Sequence, residues 1–245
     1  MLLRLLPLIC MLLLASPVQA GRVHVAVAAN FTQAAKEISR AFSEKSGHHS
    51  VVSYGSTGKL YTQIIYGAPF QIFLAADAVR PERLEKEGKS VPGRRFTYAI
   101  GKLALWSKEP DRISDSPSAL KGSFRRLALA NPKTAPYGAA ALEVLQELGL
   151  DKQLRSKMIR GDNVAQTYQF VATGNAQLGF VALAQVKSRG GGSHWEIPQS
   201  MYTPIKQQVV LLKKGQGVAA AEAFMAFLRG AEAQAIMKKF GYGVE

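Results

Sequence analysis

The chain has 245 residues, a single cysteine and a formal charge of +14 at pH 7. Cys10 sits inside an apolar leader, so the rest of the chain has no thiol for a disulfide, a Cys–zinc site or a Cys nucleophile. The basic residues are scattered, as at Lys36, Arg40, Arg94, Lys157 and Lys238, with no basic stretch interleaved with aromatics; this favours a solvated positive surface that attracts anions over a nucleic-acid partner.

Residues 1–20 read as a secretory signal peptide. Arg4 gives the positive start, LLPLICMLLLA the apolar core and Val18-Gln19-Ala20 the small-residue cleavage site. The rival reading is an uncleaved anchor, for which the apolar run is short. A lipoprotein reading fails because the residues before Cys10 are bulky and the apolar core runs past it. No later run approaches roughly 18 apolar residues, so a soluble periplasmic chain is expected.

The stretch VHVAVAAN predicts a strand, with Val23, Val25 and Val27 on one side. A helix follows, with Phe31, Ala34, Ala35, Ile38 and Phe42 on one face and Asn30 at its cap. After Gly47 come a strand at Ser50 to Ser53 and a helix carrying Leu60, Ile64 and Ile65; Ser56 and Thr57 stand at the corner between them. The adjacent His48-His49 pair reads as solvated loop. GSTGKL is not a phosphate-binding P-loop, because Ser53 replaces the first Gly and Leu60 the magnesium-binding hydroxyl. FQIFLAAD predicts a buried strand, and Asp77 a cap for a charged helix from Pro81.

FTYAIGKLALWS is a long extended run, after which a second α/β series begins. It holds a strand at Leu127 to Ala130, a helix entered at Tyr137-Gly138 with Ala141, Leu142, Leu145 and Leu148 inward, and a helix entered at Asn163-Val164. Leu178 to Leu183 is a further strand. The chain returns through MYTPIKQQVVLL and ends in a helix over AAAEAFMAFLRGAEAQAIMKKF, buried through Phe224, Phe227, Leu228 and Ala231. Two extended connections framing the middle series imply an α/β protein of two lobes with a cleft between: 21–98 with 203–245, and 99–202. Strand-to-helix corners present unpaired N–H groups at the strands' carboxyl ends, a seat for an anion.

AANFTQAAKEI, YGSTGKLYTQI, GAPFQIFLAAD, ANPKTAPYGAAALEVL and GDNVAQTYQFVATGNAQLGFV, in this order, resemble the periplasmic molybdate-binding proteins of ABC importers. The resemblance implies a type II periplasmic binding protein fold, each lobe a mixed sheet flanked by helices, closing over molybdate or tungstate. It implies neutral donors: Asn30 with Ala29 before it, Thr57 with its neighbour Ser56, and the N–H groups of Tyr137 and Val164. Those residues would meet the metal only through the oxyanion's oxygens, with no cofactor. Some relatives add a Tyr hydroxyl after LGFV; here Ala182 stands there. The implied partner is an inner-membrane ABC permease, and the chain is expected to be a monomer. Alternatives are a binder of sulfate or phosphate, or a phosphate-handling α/β enzyme. The enzyme reading lacks GxGxxG, GxSxG and an evident acid–base pair.

Overall fold

The computed structural model describes residues 20–244; the expected leader, apart from Ala20, lies outside the described residues. In chain order the first part comprises β1 (Arg22–Ala28), a 3-10 turn (Ala29–Phe31), α1 (Thr32–Ser46), β2 (His49–Gly55), α2 (Thr57–Ile65), β3 (Ile72–Leu74), α3 (Val79–Lys86) and β4 (Ser90–Gly101). The middle comprises β5 (Leu103–Ser107), β6 (Leu127–Ala130), α4 (Pro136–Glu147), β7 (Met158–Gly161), α5 (Val164–Ala172), β8 (Leu178–Ala182), α6 (Leu183–Arg189) and β9 (Ser193–Glu196). Then follow β10 (Ile205–Leu212), α7 (Ala219–Arg229) and α8 (Ala231–Lys239).

Two five-stranded sheets result, ordered β2-β1-β3-β10-β4 and β7-β6-β8-β5-β9. Each joins a parallel trio to an antiparallel pair: β1 is parallel to β2 and β3, and β6 to β7 and β8. In each sheet, therefore, helices start beyond the carboxyl ends of the parallel strands, on the side where open α/β sheets bind ligands. β4 remains in the first sheet to Gly101 and β5 opens the second at Leu103, so the chain crosses at Lys102 and not at residue 98. The long extended run is thus two strands in two sheets.

The first sheet's core is two-sided. Val23, Val25 and Val27 face α1, α7 and α8, while Ala26 faces the other way with Leu60, Phe73 and Leu84. The predicted inner face of α1 is buried in full, and Gly47 ends the helix in the left-handed region at φ 68°, as glycine does without steric cost.

Several burial expectations differ, Ile65 on α2 among them, which is only half-buried. On α4, Val144 is buried and Leu142 only half so, because Tyr137, Ala141, Val144 and Leu145 hold the stripe. The expected C-terminal helix is two, since Gly230 is extended (ψ 157°) and breaks it. Ala231 is consequently exposed, Phe227 is only half-buried, and Ala220, Ala221 and Met225 join Phe224 and Leu228 on the buried face of α7. His48 is buried, not solvated: its Nδ1 accepts the Gly21 N–H at 2.9 Å, while His49 lies exposed on β2.

Candidate functional site

Four corners meet in one place. The first follows β1, where Ala28 leads into the 3-10 turn with no side-chain cap. Asn30 lies inside that turn and is not the helix cap its position suggested. Its carboxamide is used elsewhere: Nδ2 donates to Gln207 Oε1 at 2.7 Å and to Tyr242 Oη at 3.2 Å. The Tyr242 hydroxyl in turn donates to the Asn30 carbonyl at 2.9 Å. The tail holds Tyr242 there because Gly243 and Ile100 exchange backbone hydrogen bonds. What this corner offers a ligand is its backbone.

At the second corner Ser56 is the extended residue before α2. Its hydroxyl is buried and has no hydrogen-bond partner among the described residues. Thr57 is also buried, but its Oγ1 accepts the Ala76 N–H at 3.1 Å, which leaves its proton free to donate. Ser56 is therefore the less committed hydroxyl.

The third corner is Ala135-Pro136-Tyr137-Gly138. Proline occupies the first helical turn of α4, where its missing N–H costs nothing. A Cβ on Gly138 would overlap the Ala130 carbonyl oxygen, so only glycine lets α4 start this close to the end of β6. At the fourth corner Asn163 Oδ1 accepts the N–H groups of Ala165 and Gln166, each at 3.0 Å. That cap satisfies the second and third donors of α5 and leaves the first, Val164 N–H, pointing past the helix end.

These corners line a small cavity of about 10 Å³. Ala29, Asn30, Ser56, Thr57, Tyr137 and Val164 all line it, with Ala28, Gly55, Ala76, Ala135, Pro136 and Asn163. Among the described residues, no Lys, Arg, Asp or Glu does. Ala182 does not reach it; that residue is fully buried and donates its N–H to Gln185 Oε1, whose Nε2 donates to the Val164 carbonyl at 3.3 Å. Gln185 thus braces the fourth corner, a role with no local signature in the sequence.

The lobes touch beside the cavity. Gly58 N–H donates to the Thr134 carbonyl at 2.8 Å, Arg80 Nη2 to the Lys133 carbonyl at 3.1 Å, and Lys59 pairs with Asp162 at 2.9 Å. Asp77 accepts the Arg80 N–H and pairs with its guanidinium, so it serves the start of α3, but that helix begins at Val79 and not Pro81, and Ala78 occupies the cap position. Beside the cavity lies a wider interlobe groove of about 740 Å³ that shares Ala76 and Pro136 with it.

Behind the first corner sits a buried polar network that the linear pattern did not reveal. It joins Asn30, Tyr98, Gln207 and Tyr242. Burial pushes the phenols of Tyr98, Tyr137 and Tyr242 above their ordinary range; Tyr242 and Asp77 raise Tyr98 further, neighbouring phenols raise Tyr137 further, and the Asn30 carboxamide offsets a small part of the rise at Tyr137 and Tyr242, so all three stay neutral.

A cavity ringed by neutral helix-start donors can bind a small anion. The bacterial extracellular solute-binding protein family model matches residues 23–243. The chain is 52% identical to the molybdate-binding protein ModA of Rhodobacter capsulatus over 95% of its own length and 92% of that protein. It is equally 52% identical to ModA of Azotobacter vinelandii, over 95% and 94% respectively. A solved Azotobacter vinelandii periplasmic molybdate-binding protein superposes with a TM-score of 0.88 at 41% identity, covering 91% of this chain and 99% of that one. The chain belongs to the bacterial extracellular solute-binding protein family and is a binding protein, not an enzyme.

Proposed function

We propose that the chain captures molybdate, and tungstate equally by shape and charge, and hands it to an inner-membrane ABC permease. The observation that carries this reading is the convergence of four uncommitted corners, two from each sheet, on one cavity with no charged side chain. The similar ModA proteins name the anion. A tetrahedral dianion has four oxygens that accept several hydrogen bonds each. Buried hydrogen bonds to a charged group contribute about 1.5–3 kcal/mol each, so a handful outweighs the cost of association. Helix starts add about 0.3–2 kcal/mol apiece. An arginine in the cavity would bring its own desolvation cost.

The donors in this reading are the N–H groups of Asn30 or Ala29, Thr57, Tyr137 and Val164, with the hydroxyls of Ser56 and Thr57. No cofactor is required, and the protein works as a monomer in the periplasm after cleavage behind Ala20. Titration calorimetry with molybdate, tungstate, sulfate and phosphate tests the reading. Tight binding of the first two supports it. Preference for sulfate or phosphate moves the chain to another oxyanion.

A further inference from the structure

Gln207 lies on β10, wholly buried, opposite Ala99 of β4. Its Oε1 accepts from Asn30 Nδ2 at 2.7 Å and from the Tyr98 hydroxyl at 3.2 Å. Its Nε2 is buried without an acceptor; the hydroxyl of Tyr137, which comes from the other lobe, lies beside the Asn30 carboxamide but makes no hydrogen bond of ordinary geometry among the described residues. Buried polar atoms are seldom left unpaired. These two flank one point: a Cβ on Gly101 would overlap the Tyr137 hydroxyl and stand 3.0 Å from Gln207 Nε2. Gly101 is where β4 ends, one residue before the chain crosses between sheets. A small rotation there changes the separation of the two orphan groups. Both ends of the pair also reach the cavity, Tyr137 by its own N–H and Gln207 through Asn30.

We propose that Gln207 is a positioning residue of the anion cavity: it turns the Asn30 carboxamide away from the ligand and takes the Tyr137 hydroxyl as its partner when the lobes tighten. The proposal rests on the anion-capture reading and adds a link between ligand and hinge. In the loose arrangement the carboxamide N–H and the phenol oxygen are both unpaired. In the tight one the N–H donates to that oxygen, which stabilises the liganded form alone. Asn30 keeps its backbone toward the cavity because both its N–H bonds are held by Gln207 and Tyr242.

The test is a double-mutant cycle of Gln207→Leu and Tyr137→Phe, with molybdate, tungstate and sulfate titrated into each purified protein. Phenylalanine keeps the ring and the backbone donor of Tyr137. Each single variant should weaken the anion the parent takes by roughly tenfold, the scale of one buried hydrogen bond. The double variant should be no weaker than Gln207→Leu, and the ligand-free melting temperature of Tyr137→Phe should not fall. Unchanged affinities, or losses that multiply in the double variant, overturn the proposal. Should Gln207→Leu fail to fold, an unchanged Tyr137→Phe still overturns it. A parent that binds none of the three anions sinks the capture reading and this proposal together, whereas a binding parent with indifferent variants sinks this proposal only.

Discussion

Gly58 on α2 and Thr134 in the loop before α4 meet backbone to backbone across the cleft, Gly58 N–H donating to the Thr134 carbonyl at 2.8 Å. A Cβ on Gly58 would stand 3.0 Å from both the Cα and the carbonyl oxygen of Thr134. Both obstacles are main chain, so they yield only if the lobes part. Gly58→Ala should therefore weaken anion binding, by about 1–2 kcal/mol if one buried hydrogen bond is lost. The ligand-free protein should be no less stable, because alanine is favoured over glycine inside a helix by about 1 kcal/mol. Calorimetry and thermal melting check the two halves; an unaltered affinity would show that this contact does not govern closure.

Ser56 and Thr57 are adjacent, yet their hydroxyls stand differently. Ser56→Ala removes an unpartnered buried oxygen, so the ligand-free fold should lose nothing. Anion affinity should fall by about 1.5–3 kcal/mol, one charged hydrogen bond. Thr57→Ala should lower both quantities, since it also strands the buried Ala76 N–H at a cost of about 1–3 kcal/mol. A Thr57→Ala protein that melts like the parent would mean Thr57 holds nothing in place.

Most of this architecture is legible because burial leaves a period. The alternation of Val23, Val25 and Val27 and the stripe from Phe31 to Phe42 come from single elements packed on one side. The corners are legible for a similar reason: a strand pattern stops and a helical one starts. What escapes is whatever depends on residues far apart in the chain. The sheets share one layout, but no sequence repeat announces it, since the layout rests on backbone pairing. Asn30 looks like a cap until Tyr242, 212 positions later, occupies its carboxamide. The short edge strands β7 and β9 and the brief α6 have too few residues to show a period. His48 reads as loop because its partner is the chain's own Gly21.

Alkaline titration should reveal the tyrosine cluster. The folded-state ionisation of Tyr98, Tyr137 and Tyr242 is raised from the ordinary value of 10.0, chiefly by burial. The unfolded chain then releases these protons first. The cluster's contribution is complete below pH 10 and is lost as pH climbs from there through the raised values. Denaturant midpoints should thus be steady to about pH 9 and decline steeply above about pH 10. Tyr98→Phe should soften that decline. A parent protein whose stability is flat to pH 11.5 would place these phenols in contact with water.

Gly21 N stands 2.9 Å from His48 Nδ1, and β1 begins at the very next residue. Ala20, by contrast, is exposed. Cleavage behind Ala20 would convert the Gly21 amide into an amine that keeps the same acceptor and, as an ammonium, donates more strongly. Cleavage even two residues later would delete Arg22, which pairs with His49 at the end of the sheet. Intact-mass and N-terminal peptide analysis of protein recovered from the periplasm should therefore place the first residue at Gly21. His48→Leu should lower the melting temperature of the mature protein by removing the terminus's acceptor. A mature chain that starts at Val23 or beyond, or a His48→Leu variant as stable as the parent, would contradict this arrangement.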